Sequence, residues 1–400
     1  MKNDTTMMRD ALTKIFLGLL VLLALAGCSS EDKGTEPDVV APIDFGATEE
    51  NLSTRASSTY YATESTGIPL GQPMGVFGYQ YAAKKDWAVS DTANFMYNRR
   101  MVSKGRNDDG HTEFYYSPLS FWPQADTYRL AFFAYYPFAS ASSDTGIVPT
   151  VAPGTGMGTF AFTTKDKSSE QVDFMMSDLK PNLTYVSSTT TASGDTVSFR
   201  MHHMLSQVVF HVDTASVPSG YTSFQVKSIV MHNVAKKGTL KPTYTADKVT
   251  TFEWTVVAAT DNDSLTVDGI QKNSTEDVPC RLLLLPQDNH DISLRVEVEA
   301  IPVGSQRPIV GYATMLMSGT TAAGIWKQGL TYYYTLRLKE LTKENKLYIY
   351  ITSGAPDDPD QDDDYTGGTA IQWGGTWNGG PIDAAKKATS SCTGFSHGLP

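Results

Sequence analysis

Leu294, Val296 and Val298 alternate with Arg295, Glu297 and Glu299. A period of two puts the apolar set on one face and the charged set on the other, as in an antiparallel strand with one buried and one wet face. The pattern recurs in Val197, Phe199, Met201 and His203, in Val208, Phe210 and Val212, and in Phe224, Val226, Ser228 and Val230. Residues 252–257, 282–285 and 330–338 continue it, and Pro286 stops one of these runs. Residues 128–136 are instead continuously apolar up to Pro137, which suits a strand covered on both faces. Residues 74–79 alternate small with bulky side chains, and 95–97 and 114–116 are aromatic strand centres. No long helical period appears after the N-terminal segment. Many short strands separated by turn signals predict an all-β chain of β-sandwich type.

The length of 400 residues suggests two domains. The Ser/Thr-rich stretch 187–194 sets the expected boundary near 195, giving domains over 56–195 and 196–352. Residues 353–400 carry an acidic run and then a Gly/Trp-rich stretch, and no fold is assigned to them.

The N-terminus reads as an export signal. Lys2, Arg9 and Lys14 precede an apolar run over 15–25, shorter than the roughly 20 residues a spanning helix needs. The run ends in Leu25-Ala26-Gly27-Cys28, which looks like a bacterial lipobox. Residues 1–27 are then a lipoprotein signal peptide and Cys28 is the lipidated residue. Two or more acyl chains on such a cysteine give durable attachment to the outer membrane. Residues 28–55 form a polar tether or pro-segment, opening with Ser29-Ser30-Glu31-Asp32, which resembles a surface-export signal.

Net charge is −11, without basic clusters, which argues against nucleic acid as a partner. Of three cysteines, Cys28 is committed to lipid; Cys280 and Cys392 remain as one possible pair, too few for a disulfide framework. Histidines 202 and 203 are adjacent and point to opposite faces of a strand, His211 and His232 lie on separate strands, and no spacing matches a zinc site. Asp358, Asp360 and Asp362 mimic alternate ligands of a calcium loop, but Asp363 and Thr369 stand where Gly and Glu belong. Residues 154–158 are glycine-rich without a following helix, so they are no dinucleotide fingerprint. Neither a nucleophile–base set nor a paired carboxylate stands out, and no cofactor is expected. The chain reads as a non-enzyme.

Several segments together resemble the fimbrillin family of Bacteroidetes. They are residues 74–79, Phe121-Trp122-Pro123 followed by 130–137, and Gln171-Val172-Asp173-Phe174-Met175. His203-Met204-Leu205-Ser206-Gln207-Val208 within 199–212, Leu284-Leu285-Pro286-Gln287, and 326–338 complete the set. The resemblance covers about residues 45–350. It implies two transthyretin-like β-sandwich domains and a structural or adhesive subunit, or anchor, of cell-surface fimbriae. It also implies partners among other fimbrial subunits, a host or bacterial surface ligand, and assembly by strand exchange after proteolysis near the N-terminus. On this sequence the candidate cut falls after Arg55, which is otherwise an ordinary tether residue. The candidate donor strand is Leu347, Tyr348, Ile349, Tyr350 and Ile351, which is otherwise the last strand of the second domain. The tail departs from a simple stalk subunit. Trp373 and Trp377 keep open an alternative, a surface glycan-binding lipoprotein.

Overall fold

The computed structural model describes residues 41–49, 53–54, 68–108, 110–185, 196–213, 220–260, 263–267, 280–317, 324–341, 346–353 and 369–374. Among them the chain is all-β, with a single 3-10 turn at Ser168–Glu170.

One sheet runs in the order Lys180–Leu183, Tyr128–Tyr136, Pro73–Ala82, Met96–Arg106, Thr112–Tyr115, Asp44–Glu49, Thr196–His203 and Met175–Ser177. It closes into a ring because Met176 and Met175 pair back with Tyr135 and Tyr136. Residues 130–135 are all buried, as the unbroken apolar run predicts for a strand covered on both faces. Phe132 points into the ring, 5.3 Å from Phe45 and 5.9 Å from Phe95. Phe133 and Tyr135 point outward to Phe160, at 6.3 and 5.2 Å. The neighbouring strand must therefore be thin on both faces. A Cβ at Gly75 would sit 2.2 Å from the Tyr135 ring, and one at Gly78 would sit 2.7 Å from the Phe132 ring.

The outward face packs on a four-stranded sheet ordered Thr250–Val256, Lys237–Tyr244, Thr159–Thr163 and Ile147–Thr150. Gln287–Asp288 and Ile325–Trp326 make a small two-stranded sheet, and the other strands form a sandwich. One sheet is ordered Ser264–Val267, Tyr221–His232, Ser293–Pro302, Ile309–Leu316 and Gln372–Gly374. The other is ordered Cys280–Leu284, Ser206–Asp213, Leu330–Leu341, Lys346–Ser353 and Thr369–Ala370, with Ser53–Thr54 also pairing Leu330–Leu341. Leu294, Val296, Val298 and Ala300 face Val208, Phe210, Leu282 and Leu336 in its core.

The pairings cross the boundary expected near residue 195. Thr196–His203 pairs with Asp44–Glu49 and Met175–Ser177, so it is a strand of the ring. Lys237, Gly238, Thr239 and Leu240 pair with the earlier strand Thr159–Thr163. The chain changes company at Met204-Leu205, both buried, between one strand and the next. The apolar set moves from odd positions, Val197, Phe199 and Met201, to even ones, Val208, Phe210 and Val212, so the alternation changes phase across Met204-Leu205.

Candidate functional site

Asp44–Glu49 is a short strand set between two others. It runs parallel to Thr196–His203 over six residue pairs, from Asp44 opposite Thr196 to Glu49 opposite Met201. On its other side Gly46 and Ala47 pair antiparallel with Glu113 and Thr112. Its inward side chains alternate: Ile43, Phe45 and Ala47 are 0, 2 and 2% exposed. Phe45 sits in an aromatic nest, stacked on Phe199 at 5.9 Å and edge-on to Tyr116 at 5.5 Å and Phe132. The start of the strand is clamped by polar contacts. Tyr116 Oη donates to the Ile43 carbonyl at 2.9 Å, and the Ile43 amide donates to the Ser120 carbonyl at 2.9 Å. Burial pushes the Tyr116 hydroxyl pKa up, so it stays a donor. Burying Ile43 and Phe45 contributes about 1.5–3 kcal/mol each.

The next described residues, Ser53 and Thr54, pair parallel with Leu330 and Thr331 of the second sandwich. The strand thus belongs to a segment that touches both halves of the molecule just before Arg55. Taking it away would leave a groove between Thr112–Tyr115 and Thr196–His203, lined by Tyr116, Phe132 and Phe199.

The fimbrillin-like family model matches residues 54–353. The chain belongs to the fimbrillin-like family. Among solved structures it is similar to a candidate cell adhesion protein of Bacteroides uniformis, at 13% identity over 80% of this chain and 98% of that one, with a TM-score of 0.47. A fimbrial protein of Bacteroides ovatus matches at 13% identity over 74% of this chain and 49% of that one, with a TM-score of 0.32. A fimbrial assembly protein of Parabacteroides distasonis matches at 9% identity over 78% and 99%, with a TM-score of 0.35. No curated protein matches the chain.

In this fimbrillin-like chain, Cys28, Arg55, Cys392, Trp377 and the acidic run 357–364 lie outside the described residues. Cys280 opens a strand, its backbone opposite Phe210. The candidate donor 347–351 is a resident strand: Lys346–Ser353 pairs antiparallel with Leu330–Leu341 over eight positions, and Ile349 is buried in the sandwich core. Beyond it Ala370 and Thr369 pair with Tyr348 and Ile349, while Gly374, Trp373 and Gln372 pair with Val310, Gly311 and Tyr312. Ile371 between them is 2% exposed and closes that end of the sandwich. Sequence reasoning missed both Asp44–Glu49 and this closing segment. The former is signalled by Ile43, Phe45 and Ala47 at a period of two.

His202, His203 and His211 make contacts within the fold. His202 Nε2 lies 3.1 Å from Asp178 Oδ2, and His203 Nδ1 lies 2.6 Å from Asp173 Oδ2, so the adjacent rings meet different carboxylates. His211 is buried and stacks on Tyr333 at 6.4 Å. Burial, with help from Arg295, lowers the His232 pKa. Among the described residues no cluster of three His, Cys, Asp or Glu could hold a metal. Gly154, Gly156 and Gly158 have φ of 77, 61 and 73°, and the Gly156 carbonyl accepts from Tyr79 Oη at 2.7 Å, so the glycine run serves as a turn.

Proposed function

We propose that this chain is a non-enzymatic structural or adhesive subunit, or anchor, of cell-surface fimbriae, exported as a lipoprotein on Cys28 and assembled by β-strand exchange. The observation that supports the exchange is the place of Asp44–Glu49. It is flanked by strands on both sides, buries Ile43, Phe45 and Ala47, and lies upstream of Arg55. Cleavage after Arg55 leaves this strand held by non-covalent contacts alone. A strand from a neighbouring subunit then takes its place, with main-chain hydrogen bonds for affinity and the aromatic nest for specificity. The exchange also explains how a sheet margin opened by processing escapes aggregation, because the neighbour covers it. The family's fimbrial character and the acidic, strand-rich composition agree with a surface location. A glycan-binding alternative would rest on Trp373 and Trp377, and no described side chain favours it.

Cells expressing the wild-type chain or Arg55→Ala test this. The wild type should give SDS-resistant ladders with an N-terminus at Ala56. Arg55→Ala should stay monomeric, with lipid on Cys28 detected by mass spectrometry. Ladders of equal strength from both proteins would remove processing at Arg55 from the account.

A further inference from the structure

We propose that the outer face of the sandwich sheet built on Tyr221–His232, Ser293–Pro302 and Ile309–Leu316 pairs with the same face of a second copy, in a two-fold contact separate from strand exchange. The face stands out by its composition. In Ser293–Pro302 the inward Leu294, Val296, Val298 and Ala300 are buried, and the outward set is Ser293, Arg295, Glu297 and Glu299. That is a strand with one wet face. Its neighbour Ile309–Leu316 departs from this rule. Apart from Gly311 and Thr314 it is apolar throughout, the pattern of a strand covered on both faces. Its inward Ala313 and Met315 are buried in the sandwich core, but its outward Val310, Tyr312 and Leu316 are 40, 36 and 56% exposed. Tyr128–Tyr136 carries the same kind of run and has both faces covered, with residues 130–135 all buried. Ile309–Leu316 lacks its second cover, and a clustered apolar surface of this kind marks a contact site.

Charge says what the cover is. Arg295 lies over the Tyr312 ring, 4.5 Å from its centroid. Glu299 is taken by Lys227 at 3.7 Å and by Gln225. Among the described residues neither Arg295 nor Glu297 has an ion-pair partner, although both are half-buried and share one face of one strand.

The face is its own complement. Arg295 lies opposite Thr314, Glu297 opposite Tyr312 and Glu299 opposite Val310. A two-fold axis in the plane of the contact, crossing the strands between the Arg295 and Glu297 rows, reverses this order from one copy to the other. Arg295 of each copy then meets Glu297 of the other, Val310 meets Leu316, and Tyr312 meets Thr314. Both open charges are answered twice and the apolar stripe is covered from end to end, as an isologous contact requires. An axis through either row would instead set Arg295 on Arg295 or Glu297 on Glu297, so like-charge repulsion fixes the register. Sheets stacked face to face keep their strands within about 30° of a common line, which the reversed strands satisfy. Four strands about 4.8 Å apart, over seven residues, present about 450 Å² per copy. A total of about 900 Å² is at the low end for specific contacts. The pairing is therefore weak between free chains and gains where subunits are held side by side.

Sedimentation velocity of the full lipidated chain in mild detergent tests this, under reducing conditions and with Arg55→Ala to keep strand exchange out. A contact made by side chains alone does not survive SDS, which separates it from exchanged strands. The parent should dimerise as its concentration rises. Arg295→Glu and Glu297→Arg should each weaken dimerisation about tenfold or more, because each sets like charges face to face twice. The double variant Arg295→Glu/Glu297→Arg should recover to within about threefold of the parent. An equimolar mixture of the two single variants should also pair, since one copy then offers two acids and the other two bases. That recovery shows in addition that the single variants are folded. Leu316→Asp should abolish dimerisation with both charges in place. A parent that stays monomeric at about 1 mM, where even weak specific contacts form, overturns the proposal and gives the face to a different occupant. Dimers that ignore both charge reversals, or that neither the swap nor the mixture restores, overturn it as well.

Discussion

In the second sandwich the core is largely aliphatic, with Leu265, Leu282, Leu284, Leu294, Val296 and Val298 meeting across two sheets. Inside the ring the residues around Phe45 are aromatic, with Tyr116, Phe132 and Phe199 turned edge-on or stacked. The difference follows from geometry. A sandwich buries one face of each strand, and branched side chains at every second position fill the gap between sheets. A ring strand such as Tyr128–Tyr136 is covered on both faces. Large planar rings reach across its interior, and Gly75 and Gly78 make room for them. The aliphatic core spreads its stability over many similar contacts. The aromatic nest concentrates the packing of Asp44–Glu49 on one side chain, Phe45.

This contrast can be broken by measurement. Phe45→Ala should lower the stability of the uncut chain by about 3–5 kcal/mol, read as a shifted urea midpoint. Once residues up to Arg55 have been cut and removed, parent and variant should be indistinguishable, because the altered residue is gone. A loss below about 1 kcal/mol in the uncut chain would show that the nest does not hold the strand. Leu294→Ala should cost about 2–5 kcal/mol, and the cost should be the same before and after the cut. If cutting erased it, the two cores would not be separate.

The smallest effect concerns the polar tie between the halves, where Lys236 lies 2.9 Å from Asp166 and 3.5 Å from Asp263. Hydrogen bonds from the Thr260 backbone and hydroxyl, reinforced by Lys236, hold the Asp263 pKa below the ordinary carboxylate value. A depressed folded-state pKa stabilises above the unfolded value and is lost as pH falls through the folded one. Asp263→Asn should therefore cost up to about 1 kcal/mol at pH 7, given its partial exposure, and nothing once the pH is below the depressed pKa. An unchanged difference in urea midpoint from pH 7 to pH 2 would remove the charge from the explanation.

Much of the strand content was legible. Period-two alternation located Ser293–Pro302, Tyr221–His232 and Ser206–Asp213, and the unbroken run located Tyr128–Tyr136 with both faces covered. Residues 347–351 were legible as a strand, with donor strand and last strand of the second domain both left open, and within the chain Lys346–Ser353 holds eight paired positions. Asp44–Glu49 was hard to read because it lies in a stretch that reads as polar tether, where only Ile43, Phe45 and Ala47 alternate.

By itself the sequence determined which face of each strand is apolar and where turns fall, since both are local properties of side-chain order. Only the tertiary structure decided who pairs with whom: the parallel match of Asp44–Glu49 to Thr196–His203, the closure of the ring at Met175 and Met176, and the change of company at Met204-Leu205. The reason is that main-chain hydrogen bonds are the same for every residue. Alternation says which side goes inward, but the neighbour is chosen by shape, as when Phe45 finds the space between Tyr116, Phe132 and Phe199.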